Sequence, residues 1–166
     1  MPPVIRAAIA ADIPALVGLM TAFYAESNFP LPVEPATRAF RSLLRDARLG
    51  AAWLAEVDGQ PAGHLVLTVC FSMEYGGLRG FIDDLYVRPA VRGQGIAAGL
   101  LNAARAAAME RGVRALHVEV GPDNRVARRV YERAGYRDSD HAFLSLPLAA
   151  PMHVPESPPD GKVKEG

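Results

Sequence analysis

The 166-residue chain predicts an α/β (α+β) fold, a mixed and largely antiparallel β-sheet flanked by about four helices. Two observations carry that expectation. Two β-prone runs, Ala51–Val57 and Ala62–Phe71, are joined by Asp58-Gly59, a dipeptide suited to a tight hairpin. A strand at Phe81–Val87 passes through a glycine-bearing turn into a long helix and then a further strand, which is the pattern of a parallel crossover. The full order, βααβββαβαβ, therefore places antiparallel hairpins early and a parallel connection late.

Each element has a local reason. Val4–Ala8 is a short apolar strand. Asp12 is expected to cap a helix with Pro14 in its first turn and an apolar stripe of Leu16, Leu19, Met20 and Phe23. Asn28-Phe29-Pro30-Leu31-Pro32 breaks that helix, and a second begins near Pro35, shows Phe40, Leu43 and Leu44 on one face, and ends around Leu49-Gly50. Glu74-Tyr75-Gly76-Gly77 turns the chain into Phe81–Val87. The helix from about Gly95 to Arg111 places Ile96, Leu100, Ala104 and Ala108 at helical spacing, and Gly112 stops it. Leu116–Val120 alternates as a strand, Asn124–Ala134 is helical, and Ala142–Leu146 is expected to close the sheet. From Pro147 onward prolines and charges replace aromatics, so residues 1–146 read as one domain and 147–166 as a Pro-rich tail without a core.

Composition narrows the function. Lys+Arg and Asp+Glu both number 18, so no basic excess recommends nucleic acid, and no polybasic segment recommends a membrane surface. No apolar run approaches the ~20 residues of a membrane span, and the N-terminus lacks the pattern of a signal peptide. Cys70 is the sole cysteine, which fits a reducing cytoplasm; flanked by Val69 and Phe71, it reads as a buried structural thiol. His64, His117, His141 and His153 show no ligand spacing, so no metal site is expected.

The chemistry concentrates in two stretches. In Arg92-Gly93-Gln94-Gly95-Ile96-Ala97 few Cβ atoms obstruct the turn, so backbone N–H groups at a helix start can close on an anion, with Arg92 adding a cation. A dinucleotide fold would need its glycines in the first βα turn. Glu119 lies at a fitting distance downstream, but the hairpins upstream spoil that topology, and the Gly-Lys-Ser/Thr of a Walker loop is absent. Just before the turn, Asp83 and Asp84 are adjacent on a strand. Parity sends them to opposite faces without saying which meets the cleft, and a one-residue slip swaps them. In the second stretch Asn124 and Tyr131, seven residues apart, share one helix face about 10 Å apart and can touch two points of an extended arm.

These residues resemble the GNAT superfamily of acetyl-CoA-dependent N-acetyltransferases. Arg92, Gly95 and Ala97 match the family's Arg/Gln-x-x-Gly-x-Gly/Ala, and Val87-Arg88-Pro89 its usual lead-in. Asn124, Ala127, Tyr131, Gly135 and Tyr136 match Asn-x-x-Ala-x-x-x-Tyr-x-x-x-Gly-aromatic. The resemblance implies central strands that splay apart and a CoA pyrophosphate held by the Arg92–Ala97 backbone. It also implies that Leu85 and Val87 pair with the pantetheine arm, that Asn124 bonds that arm, and that Tyr131 lies near the thioester sulfur. The family's catalytic carboxylate, often glutamate, falls on Asp83, whose shorter side chain favours a water relay. Asp84 is then left as a ligand for a substrate cation or as a structural group. Dimerisation is common in the family, and an apolar last strand would support it.

The acceptor side carries less information. The first two helices and the Ser72–Leu78 turn supply Phe23, Tyr24, Glu26, Phe29, Glu74 and Tyr75, aromatics and acids that favour a cation. A small cationic amine is the expected acceptor, with Tyr24, Glu26, Tyr75 and Asp84 as its contacts. Peptide N-termini or lysines are the alternative acceptors. A non-catalytic acyl-CoA sensor and a nucleotide-phosphate binder are the alternative classes.

Overall fold

The computed structural model describes residues 2–139, 142–149 and 151–152. Asp58 and Gly59 both take positive φ, 50° and 73°, the backbone that lets a two-residue turn follow the strand twist. Val57 is thereby brought opposite Gln60, joining β2 (Gly50–Val57) to β3 (Gln60–Ser72). A second turn sends β3 into β4 (Gly77–Val87), and β1 (Val4–Ala7) pairs with β2. These three ladders are antiparallel. The chain crosses over through α3 (Ile96–Glu110) to β5 (Leu116–Val118), which lies parallel to β4. The sheet order is β1-β2-β3-β4-β5.

Helices cover both faces. α1 (Ile13–Ala25) and α2 (Val33–Arg45) bury Leu16, Leu19, Ala36 and Phe40 against Leu54, Val66 and Tyr86. On the other face α3 buries Ile96, Leu100, Ala104 and Ala108 against Leu65, Leu67 and Ile82, joined by Tyr131 from α4 (Arg125–Arg133). The apolar stripes expected on α1 and α3 are the ones that pack. Burial of these side chains, at roughly 1.5–3 kcal/mol for each large aliphatic, fixes which helix face meets the sheet.

Several expectations are corrected. Asp12 makes no side-chain bond into α1: its carboxylate accepts from Ile9 N–H at 2.8 Å and pairs with Arg6 at 2.7 Å. α2 stops at Arg45 because Asp46 Oδ1 accepts the Arg48 N–H at 3.0 Å, closing a turn before Gly50. Cys70 is exposed, as is Phe71, because the β3–β4 ribbon runs on past Gly50, the last β2 residue with a β3 partner. Ala142–Leu146 forms no strand, and Leu144 and Leu146 are exposed. β-prone residues make a strand only where a partner ladder takes their backbone groups. Here the segment Ala134–Ser139 lines a groove of about 800 Å³ beside β5 without pairing to it. Most of the 147–166 tail lies outside the described residues. Among those described, no helix is long and apolar enough to cross a membrane.

Candidate active site

The glycine-bearing turn forms as its sequence requires. After a single 3₁₀ turn at Pro89–Val91, Gly93 and Gly95 take φ of 80° and 79°, a region that penalises any side chain. Gly95 is the N-cap of α3 and offers no side-chain cap, so the first N–H groups of α3, from Ile96 and Ala97 onward, have no acceptor within the helix. A Cβ built at Gly93 or Gly95 would meet no atom within 4 Å, so the turn faces open space. Bare N–H groups at the positive end of a 15-residue helix, with open space in front, suit an anion such as a phosphate group. The Arg92 guanidinium is turned elsewhere. Its Nη2 donates to both Glu26 oxygens at 2.7 and 2.9 Å, and its Nε donates to the Val87 carbonyl at 2.8 Å.

Beside this turn the sheet opens. β4 pairs with β5 only through Gly80, Phe81 and Ile82, so Asp83–Val87, with Leu85 and Val87, runs on without a β5 partner. A bulge falls at the same place: Leu67 opposes Ile82 while Val66 opposes Asp84, which leaves Asp83 with no residue across from it. That extra residue reverses the side-chain alternation. Ile82 packs with α3, whereas Tyr86 packs with α1 and α2. Contrary to the expectation of opposite faces, Asp83 and Asp84 both line one cavity of about 390 Å³ together with Met20, Phe40, Leu43, Val66 and Thr68.

The two carboxylates differ in surroundings. Asp84 is 8% exposed and buried, whereas Asp83 is exposed. Protein crowding around Asp83 nevertheless pushes its carboxyl above the ordinary aspartate value, and the charges of Asp84 and Glu119 push the same way. Tyr24 on α1 is raised to about 12, by burial and then by both carboxylates. Tyr131 is buried, its ring edge-on to Tyr136 at 5.5 Å, and burial first, then Tyr136 and Asp84, raise its phenol well above the usual range. It therefore stays protonated at neutral pH. The charge of Asp84 thus reaches Tyr24, Asp83 and Tyr131.

The remaining expected residues have partners of their own. Glu26, at the C-cap of α1, is held by Arg92 and by the Tyr86 hydroxyl, which donates to it at 3.2 Å. Asn124 caps α4, its Oδ1 accepting from Ala127 N–H at 3.0 Å, so its amide N–H₂ is the group left to meet an arm. Tyr75 packs edge-on to His117 at 5.8 Å, and His117 in turn faces Phe81, two residues before Asp83. Three residues around the carboxylates were not among the expected site residues. His64 is fully buried, neither ring nitrogen has a hydrogen-bond partner, and its Nε2 lies 3.8 Å from Asp84 Oδ2. Alternation along β3 puts His64 on the face of Val66, but only the bulge on β4 brings Asp84 to that face. Glu119 acts on Asp83 through charge, and Met152 lines the cavity from a segment with no motif. Among the described residues no three His, Cys, Asp or Glu side chains converge as metal ligands.

Comparison with known proteins agrees with this geometry. An integron cassette protein from the mobile metagenome of Cole Harbour Salt Marsh is 44% identical, with a TM-score of 0.83 over 89% of this chain and 92% of that one. A predicted acetyltransferase from Clostridium acetobutylicum, solved with acetyl-CoA, is 26% identical, with a TM-score of 0.75 over 88% and 96%. An aminoglycoside N-acetyltransferase in complex with CoA shares the fold at 18% identity, with a TM-score of 0.75 over 89% and 95%. Residues 16–136 match the model of the acetyltransferase (GNAT) family. Open turn, parted strands and sequence match agree, and the chain belongs to the GNAT family of acetyltransferases.

Proposed function

We propose that the protein transfers the acetyl group of acetyl-CoA to a primary amine on a small cationic molecule, by direct attack within a ternary complex. The observation that carries this reading is the bulge at Asp83, which turns two adjacent carboxylates into one cavity at the point where β4 and β5 part. Bound acetyl-CoA supplies an activated acetyl thioester; the chain supplies position, charge and proton transfer. The backbone of Arg92–Ala97 holds the pyrophosphate, the free stretch of β4 at Leu85 and Val87 takes the pantetheine arm, and the Asn124 amide steadies it.

An alkylammonium has a pKa near ~10 and is no nucleophile until it loses a proton. Asp83 takes that proton before attack, directly or through one water, and releases it to solvent. It then receives the second proton, which the nitrogen sheds as the C–N bond forms and which restores the Tyr131 phenol through solvent. A carboxyl lifted above its usual value is the better base for the task. Asp84, Tyr24 and Glu26 give the cation its electrostatic and aromatic surroundings. As the C–S bond breaks, the Tyr131 phenol donates its proton to the departing thiolate. A thiolate with pKa near ~8.5 is a fair leaving group, so this donation assists the step and is not indispensable.

The test is release of CoA thiol from acetyl-CoA over a panel of polyamines, aminoglycosides, amino acids and short peptides. Turnover with a small cationic amine that falls in Asp83→Asn and in Tyr131→Phe supports the reading. Turnover confined to peptides would replace the acceptor class, and an acetylated Cys70 would replace direct attack.

A further inference from the structure

The cation expected at the pyrophosphate and a carboxylate expected at the amine are bonded to each other. Arg92 Nη2 meets Glu26 Oε1 at 2.7 Å and Oε2 at 2.9 Å, an ion pair that joins the β4–α3 turn to the C-terminal end of α1. The pair is braced on both sides. Arg92 Nε donates to the Val87 carbonyl at 2.8 Å, and the guanidinium carbon lies 5.7 Å from the centre of the Tyr86 ring. The Tyr86 hydroxyl donates to Glu26 at 3.2 Å. Both charged side chains are nearly half exposed, 48% for Arg92 and 41% for Glu26, so ions from solvent reach either one.

We propose that the Glu26–Arg92 pair couples the two ligand sites, an anionic pyrophosphate drawing on Arg92 and a cationic amine drawing on Glu26, so that each ligand removes the other's competitor. This rests on the acetyltransferase reading and deepens it. While the pair is closed, Arg92 is neutralised toward an anion and Glu26 toward a cation. When one ligand takes its half, the opposite charge is released for the second ligand. Exposed ion pairs are weak enough to be exchanged in this way. Coupling is reciprocal by linkage, so the amine tightens the cofactor by the factor with which the cofactor tightens the amine.

The experiment is calorimetric titration of CoA into the wild type, Glu26→Gln, Arg92→Gln and the double variant, with melting temperatures to confirm folding. We expect Glu26→Gln to bind CoA about fivefold more tightly than the wild type, the low end of typical coupling because the pair is exposed. In the Arg92→Gln background the same substitution should change nothing. An unchanged or weakened affinity in Glu26→Gln overturns the coupling and leaves the pair a brace between α1 and β4. Equal tightening in both backgrounds overturns it as well, because the effect would then be simple loss of a negative charge near an anion. A wild type that does not bind CoA at all refutes the acetyltransferase reading itself, a failure visible before any variant is compared.

Discussion

Asp83 and Asp84 are the same residue type one position apart, and their surroundings divide the work. Crowding raises the Asp83 carboxyl first, and the Asp84 charge raises it further. Asp84→Asn removes that second contribution, so the enzyme-borne acid limb of the pH–kcat profile should move to lower pH relative to the wild type. A limb that stays in place would show that Asp83 is not the base. Because the folded carboxyl lies above its unfolded value, Asp83 contributes stability at low pH, and that stability is lost as pH rises through the raised folded value. Asp83→Asn should therefore cut turnover about 100- to 10,000-fold while raising the melting temperature at pH 7. That stability gain should fade below pH ~4, where the carboxyl is neutral in both states. Tyr131→Phe should slow turnover by about 100-fold or less, since the thiolate leaves tolerably unaided. At this scale the sequence pointed to Asp83, Tyr131 and Arg92 but missed His64, whose proximity to Asp84 depends on strand register and not on spacing along the chain.

The elements carry their instructions locally where a turn or a stripe decides the outcome. Gly95 begins α3 at φ 79°, and replacing it by alanine costs about 1–2 kcal/mol of backbone strain without a clash. We expect Gly95→Ala to lower the melting temperature by about 2–4 °C per kcal/mol lost and to weaken CoA binding through the methyl group placed in the open turn. A variant that binds CoA as the wild type does would remove that turn from the cofactor site. The hairpin at Asp58-Gly59 and the apolar stripes of α1 and α3 were legible because a dipeptide or one helix face suffices to specify them. The bulge at Asp83 was not. Nothing in Phe81-Ile82-Asp83-Asp84-Leu85 marks an extra residue, since a bulge exists only against the partner strand that skips it. The expected strand at Ala142–Leu146 failed for the related reason that a β-prone run contains no partner of its own.

At the scale of the whole molecule the cofactor reading has a thermodynamic consequence. A ligand that binds only the folded chain stabilises it by about 2.7 kcal/mol at 100 times its dissociation constant. For a domain of this size that amounts to a rise of about 5–10 °C in melting temperature with saturating CoA. A thermal scan with no shift would contradict the cofactor reading. The sequence by itself determined the mixed sheet and its flanking helices, the glycine-bearing turn and the family motifs. Each of these is written in neighbouring residues, as glycine positions, helical spacing or strand alternation. Only the tertiary structure decided that β4 and β5 part after Ile82, that Asp83 and Asp84 share a cavity, that His64 lies behind Asp84, and that Arg92 is held by Glu26. These are relations between separate segments, the last two between residues 20 and 66 positions apart, set by register and by which faces are buried together, and no local pattern encodes them.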